Sequence, residues 1–69
     1  MPKKYNIYAY GKGGVEKYCE LGIKTKRKAF EIARQARKQL KALDDYEMVG
    51  VTLTNDEEIL DDWYGDEIP

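Results

Sequence analysis

From Tyr5 to Tyr10 the chain alternates, with Tyr5, Ile7 and Ala9 on one parity and Asn6, Tyr8 and Tyr10 on the other. A period of two in good β-formers marks a strand with one buried face. Gly11-Lys12-Gly13-Gly14 follows, and its glycines accept the positive φ angles of a tight reversal, so a hairpin is predicted over 11–14. The return strand is predicted over 15–21. Val15, Cys19 and Leu21 take the core parity with Lys17 out of place, and Glu16, Tyr18 and Glu20 face the other way. Gly22 ends this pattern.

The period then changes. Ala29, Ala33, Ala36, Leu40 and Leu43 recur at spacings of four and three, flanked by Phe30 and Ile32, with Thr25 as a good N-cap. This predicts an amphipathic helix over 26–43, whose alanines allow a close approach to a sheet. Ile23, just ahead of the cap, helps to fix the chain's entry. Asp44-Asp45 breaks the period.

Val49, Val51 and Leu53 alternate within a third strand over 47–54. Residues 58–63 fit either a fourth strand or a short helix. Thr54-Asn55-Asp56-Glu57 resembles a capping box, but the sharp Asn55-Asp56 reversal directly after a strong strand favours the strand. Residues 65–69 read as a short frayed tail. The expected fold is therefore α+β, in the order ββαββ: one helix on one face of a three- to four-stranded antiparallel sheet. Nothing is left to cover the opposite face, which by parity carries Asn6, Tyr8, Tyr10, Glu16, Tyr18, Glu20, Met48, Gly50 and Thr52.

Composition narrows the chemistry. At 69 residues there is room for one thin-cored domain. Histidine and serine are absent, which rules out a Ser-His-Asp arrangement and a Cys/His zinc site. The single cysteine, Cys19, cannot form an intramolecular disulfide, and on the core parity it reads as a buried structural thiol. Gly11-Lys12-Gly13-Gly14 precedes a strand, whereas a phosphate-binding loop opens a helix. The acidic runs lack calcium-loop spacing. No catalytic residue, metal site, cofactor or small-molecule substrate is expected. The first residues run straight into a strand rather than an apolar leader, and no apolar run approaches the roughly 20 residues of a membrane span. A cytoplasmic protein without a membrane partner is the expectation.

The net charge of −1 conceals an asymmetry. All twelve bases lie between Lys3 and Lys41 with only three acids among them, giving residues 1–43 a charge of +9. The ten remaining acids lie at Asp44 and beyond with no base, giving residues 44–69 a charge of −10. The halves can neutralise each other or face charged partners. Arg27, Arg34, Lys38 and Lys41 lie on the helix face opposite the apolar stripe, and Lys24, Lys26, Arg27 and Lys28 crowd its start, where the macrodipole disfavours cations.

Two binding readings follow. In the first, a protein partner or a second copy docks on the uncovered tyrosines Tyr8, Tyr10 and Tyr18 or on acidic Asp61 and Asp62, because tyrosine contributes contact area at low entropic cost. Glu16 and Glu20 beside the rings would repel phosphate. In the second, nucleic acid is held by Lys12, Lys26, Arg27, Arg34, Lys38 and Lys41.

Tyr5-x-Ile7-x-x-Tyr10-Gly11-Lys12-Gly13-Gly14, followed by Gly22-Ile23-Lys24-Thr25-Lys26-x-x-Ala29, resembles the arm-type DNA-binding domains of phage and transposon integrases. The resemblance covers residues 4–43 and implies DNA docking by Tyr8, Tyr10, Lys12, Lys17 and Tyr18. In that family three strands precede the helix where two are readable here, and residues 44–69 have no counterpart. The chain as a whole is similar to small accessory proteins of phages and mobile elements, many of which act by binding and blocking a host protein.

Overall fold

The computed structural model describes residues 3–69, in the order β1 (Lys4–Tyr10), β2 (Glu16–Ile23), α1 (Lys26–Ala42), β3 (Met48–Thr54) and β4 (Ile59–Tyr64). Short 3-10 turns occupy Lys12–Gly14 and Gly65–Glu67. The four strands form one antiparallel sheet in the order β2-β1-β3-β4, so the fold is α+β. Hairpins join β1 to β2 and β3 to β4. The helix carries the chain between them, which places β1 and β3 side by side at the centre.

Thr25 caps α1 by accepting the Lys28 N–H at 3.2 Å. The alanine stripe then seats the helix over β1 and β3. Ala29, Ala33, Ala36, Phe30 and Leu40 meet Ile7, Ala9, Val49 and Val51 in the core. Trp63 ties β4 to this core, with its ring edge-on to Phe30 at 5.3 Å between centroids. Edge-to-face geometry sets the positive ring edge against the negative face of the neighbour. Among the described residues no helix is long and apolar enough to cross a membrane.

Strand β2 departs from simple alternation. Its register against β1 shifts twice, between Ala9 and Tyr10 and again between Tyr5 and Ile7. Each bulge sets an extra residue on β2 against its partner and turns the following side chains over. Tyr18 lies opposite Ala9, and Glu20 opposite Ile7, so both are on the helix side. Cys19 lies opposite Tyr8 on the helix-free side and is exposed, not a buried structural thiol. Leu21, also expected in the core, is 63% exposed. Gly22 does not end the strand. It takes φ +77° within it, which a residue with a β carbon rarely adopts, and the second bulge then returns Ile23 to the core.

A buried asparagine holds this bulge. The Asn6 Oδ1 accepts the Gly22 N–H at 3.1 Å, and its Nδ2 donates to the Thr54 and Thr52 hydroxyls at 3.1 and 3.3 Å. One side chain thereby links β2, β1 and β3 and satisfies the amide displaced from the ladder.

The C-terminal residues are docked, not frayed. Ile68 is 2% exposed within the core, and Arg37 donates to the carbonyls of Gly65 and Ile68 at 3.1 and 3.2 Å.

Candidate functional site

The helix-free face is built in rows across the sheet. Cys19, Tyr8, Gly50 and Tyr64 form one row. Glu16, Tyr10 and Met48 form the next, and Asn6, Thr52 and Asp62 a third. The central strand β3 presents only small side chains along the middle of this face: Gly50, Thr52 and Thr54. Larger ones stand on either side, Tyr8 and Tyr10 from β1, and Tyr64 and Ile59 from β4. The result is a groove of about 340 Å³ running along β3.

Gly50 is required for its shape. A β carbon there would lie 2.7 Å from Cε1 and 2.8 Å from Cδ1 of Tyr64, so the ring rests where any other side chain would be. Tyr64 is the residue that the sequence reading missed, because β4 runs one position past Trp63. The visible signal was its parity: it stands two residues beyond Asp62, across from Gly50.

Burial holds the phenols of Tyr8 and Tyr64 above their ordinary pKa. Cys19, Tyr10 and Glu16 add to the effect at Tyr8, and Asp62, Tyr10 and Glu67 at Tyr64. Both rings are therefore neutral at physiological pH, each with an intact O–H donor. Two carboxylates flank the aromatic cluster: Glu16 is the cross-strand neighbour of Tyr10, and Asp62 shares a face with Tyr64.

Of the residues expected at a partner surface, Tyr8, Tyr10 and Asp62 are together on this face. Tyr18 is not. The first bulge carries it to the helix side, where its hydroxyl bonds Glu20. Asp61 lies opposite Leu53, on the sheet side that faces the helix.

Tyr18 instead lines a second groove, about 590 Å³, between α1 and the outward-bent β2, with Ile32, Leu40 and Leu43. Its charges are matched internally by Lys17–Asp45 at 3.3 Å and Lys28–Glu31 at 3.8 Å.

The basic residues are dispersed and partly engaged. Lys12 pairs with Asp44 at 3.2 Å, and its backbone N–H reaches Asp45 at 2.9 Å. The Lys26 ammonium sits 4.7 Å above Trp63 and 5.4 Å above Phe30, which accounts for one cation at the unfavourable helix end. Lys41 covers Tyr46 at 5.0 Å, and Arg34 donates to the Pro69 carbonyl at 3.2 Å. The side chains of Arg27 and Lys38 make no hydrogen bond or ion pair among the described residues. Among the described residues, the ion pairs across the two charge halves are Lys12–Asp44 and Lys17–Asp45, both at the hairpin end. No group of three or more His, Cys, Asp or Glu side chains among the described residues is placed to hold a metal.

No protein-family model matches the chain, and no curated protein or solved structure is significantly similar to it.

Proposed function

We propose that this chain is a small non-enzymatic protein-binding module whose docking surface is the helix-free face of the sheet. One observation carries the reading: three tyrosines, Tyr8, Tyr10 and Tyr64, line a groove that no described element of the chain covers, with the Tyr64 ring lying over Gly50 and with Thr52 and Thr54 beside it. Such a surface offers aromatic area with hydroxyl donors, the mixture enriched at protein interfaces. Among the described residues no charged side chain lines the groove, and Glu16, Asp62 and Lys4 flank it on the same face. An accessory or inhibitory role, exerted by occupying a partner's surface, needs nothing beyond this face.

The test is selection of displayed random peptides on the full chain, with counter-selection on a Tyr8→Ala/Tyr64→Ala variant shown by circular dichroism to be folded. Peptides that bind the natural chain and lose the variant support the reading. The reading is overturned if no such peptides emerge and the chain instead binds nucleic acid with steep loss of affinity as salt rises.

A further inference from the structure

The helix-free face ends in two rows of opposite charge. Glu16, Tyr10 and Met48 form the row at one end, and Lys4, Thr54 and Ile59 the row at the other. Lys4 and Tyr10 are six residues apart on β1, so the rows lie about 20 Å apart at about 3.3 Å per residue. Lys4 and Glu16 are therefore too distant to pair within one chain, and both are exposed. Each end row also leaves an apolar side chain in water, Met48 at 43% exposure and Ile59 at 61%.

An interface between two copies related by a two-fold axis must complement itself. An axis running across the strands, level with Ile7 at the middle of β1, turns a second copy over onto the first with its rows in reverse order. Each end row then meets its opposite. Lys4 comes against Tyr10 and Glu16 of the second copy, and Met48 against its Thr54 and Ile59. The alternative axis, along the strands between β1 and β3, sets the two Lys4 side chains against each other. The charges thus select one arrangement. Strand addition at the sheet edges is guarded against, because β2 is bulged twice and β4 carries adjacent Asp61 and Asp62.

Resting on the docking-face reading above, we propose that the partner is a second copy of this chain, seated face to face across that axis. The two sheets pack as layers about 10 Å apart, with the helices outside. Four strands about 4.8 Å apart and about 20 Å long give a face of about 400 Å². Two such faces bury roughly 1,000 Å² once side-chain relief is counted, the lower limit of specific interfaces, so the dimer is weak and reversible.

Sedimentation equilibrium of the full chain from about 10 μM to about 1 mM should show a monomer–dimer equilibrium. Concentration-dependent NMR shifts should fall on Tyr8, Tyr10, Gly50 and Tyr64. Lys4→Glu or Glu16→Lys alone should weaken the dimer about tenfold or more, and the two together in one chain should restore it to within about threefold. The exchange keeps the net charge, and both sites are exposed, so circular dichroism should show every variant folded. Recovery then reports residue 4 of one copy meeting residue 16 of the other. The second copy is overturned by a chain that stays monomeric at the highest concentration, or by shifts confined to an edge strand or to α1. Single reversals that have no effect, or that the double exchange does not repair, overturn it equally. The docking face survives any of these results if the selected peptides bind it, and falls with the second copy if none do.

Discussion

Replacing Asn6 with alanine should cost this protein a large fraction of its stability. The side chain makes three hydrogen bonds, at 3.1, 3.1 and 3.3 Å, and is 8% exposed. A typical intramolecular hydrogen bond contributes about 0.5–1.5 kcal/mol net, with the longest of the three at the weak end. The threonine hydroxyls can rotate to new acceptors, but the Gly22 N–H, set out of the ladder by the bulge, is left without one. We expect a loss of about 2–3 kcal/mol, against a total of roughly 3–10 kcal/mol for a chain of this size. Urea unfolding followed by Trp63 fluorescence should show the midpoint falling at constant slope, and the melting temperature should drop by on the order of 10–15 °C. Hydrogen exchange at the Gly22 amide should accelerate well beyond that of the central β1–β3 ladder. Asn6→Asp separates the contributions: it keeps the acceptor for Gly22, loses both donors and buries a charge, so it should be at least as damaging. A change below about 0.5 kcal/mol for Asn6→Ala would refute the claim that this residue fastens the bulge.

Three further outcomes are expected. Ile68→Ala should destabilise by about 2–4 kcal/mol in the same urea assay, because Ile68 is a core residue; a frayed tail would give almost no effect. Acid should weaken the hairpin end through Asp45, whose carboxyl lies below its ordinary value of 3.8, first because it accepts the Lys12 N–H and then because Lys17 binds it. A depressed folded pKa gives a contribution that is complete above the unfolded value and is lost as pH falls through the folded one. Asp45→Asn should therefore flatten the acid limb of the stability curve, and a carboxyl titration by NMR should place Asp45 below free aspartate. Gly50→Val should displace the Tyr64 ring, seen as large shifts of its aromatic signals, and reduce the affinity of face-directed peptides by about tenfold or more without unfolding the chain.

How much of this was legible in the sequence depends on periodicity. The helix, β1 and β3 keep periods of 3.6 and 2 with apolar residues on one face, so their identity and phase could be read directly, except that Leu43, counted in the helix stripe, is the C-cap and is exposed. Strand β2 could not be phased, because two bulges reverse its alternation along its length. Lys17 on the apolar parity was the visible trace of the first bulge, and Gly22 of the second, but a glycine after an apolar residue reads equally well as a terminator. Ile68 stands alone beyond Gly65-Asp66-Glu67, with no periodic neighbour to mark it as core. It is held by Arg37, half the chain away, which donates to the Ile68 carbonyl and to that of Gly65. On the helix-free face, Tyr8, Tyr10, Gly50 and Thr52 followed from parity. Tyr64 did not, because it is the last residue of β4, where strand boundaries are least defined by pattern.

The claim on which the rest depends is that the tyrosine face is where a partner docks. The direct measurement puts a photo-reactive phenylalanine analogue in place of Tyr64 in cells that express the chain, with the same analogue in place of Lys38 on the outer helix face as the comparison. Irradiation should give a discrete protein adduct from position 64, absent when Tyr8→Ala is added and absent from position 38. An adduct to protein or nucleic acid formed only from position 38 would place the contact on the basic helix and contradict the account.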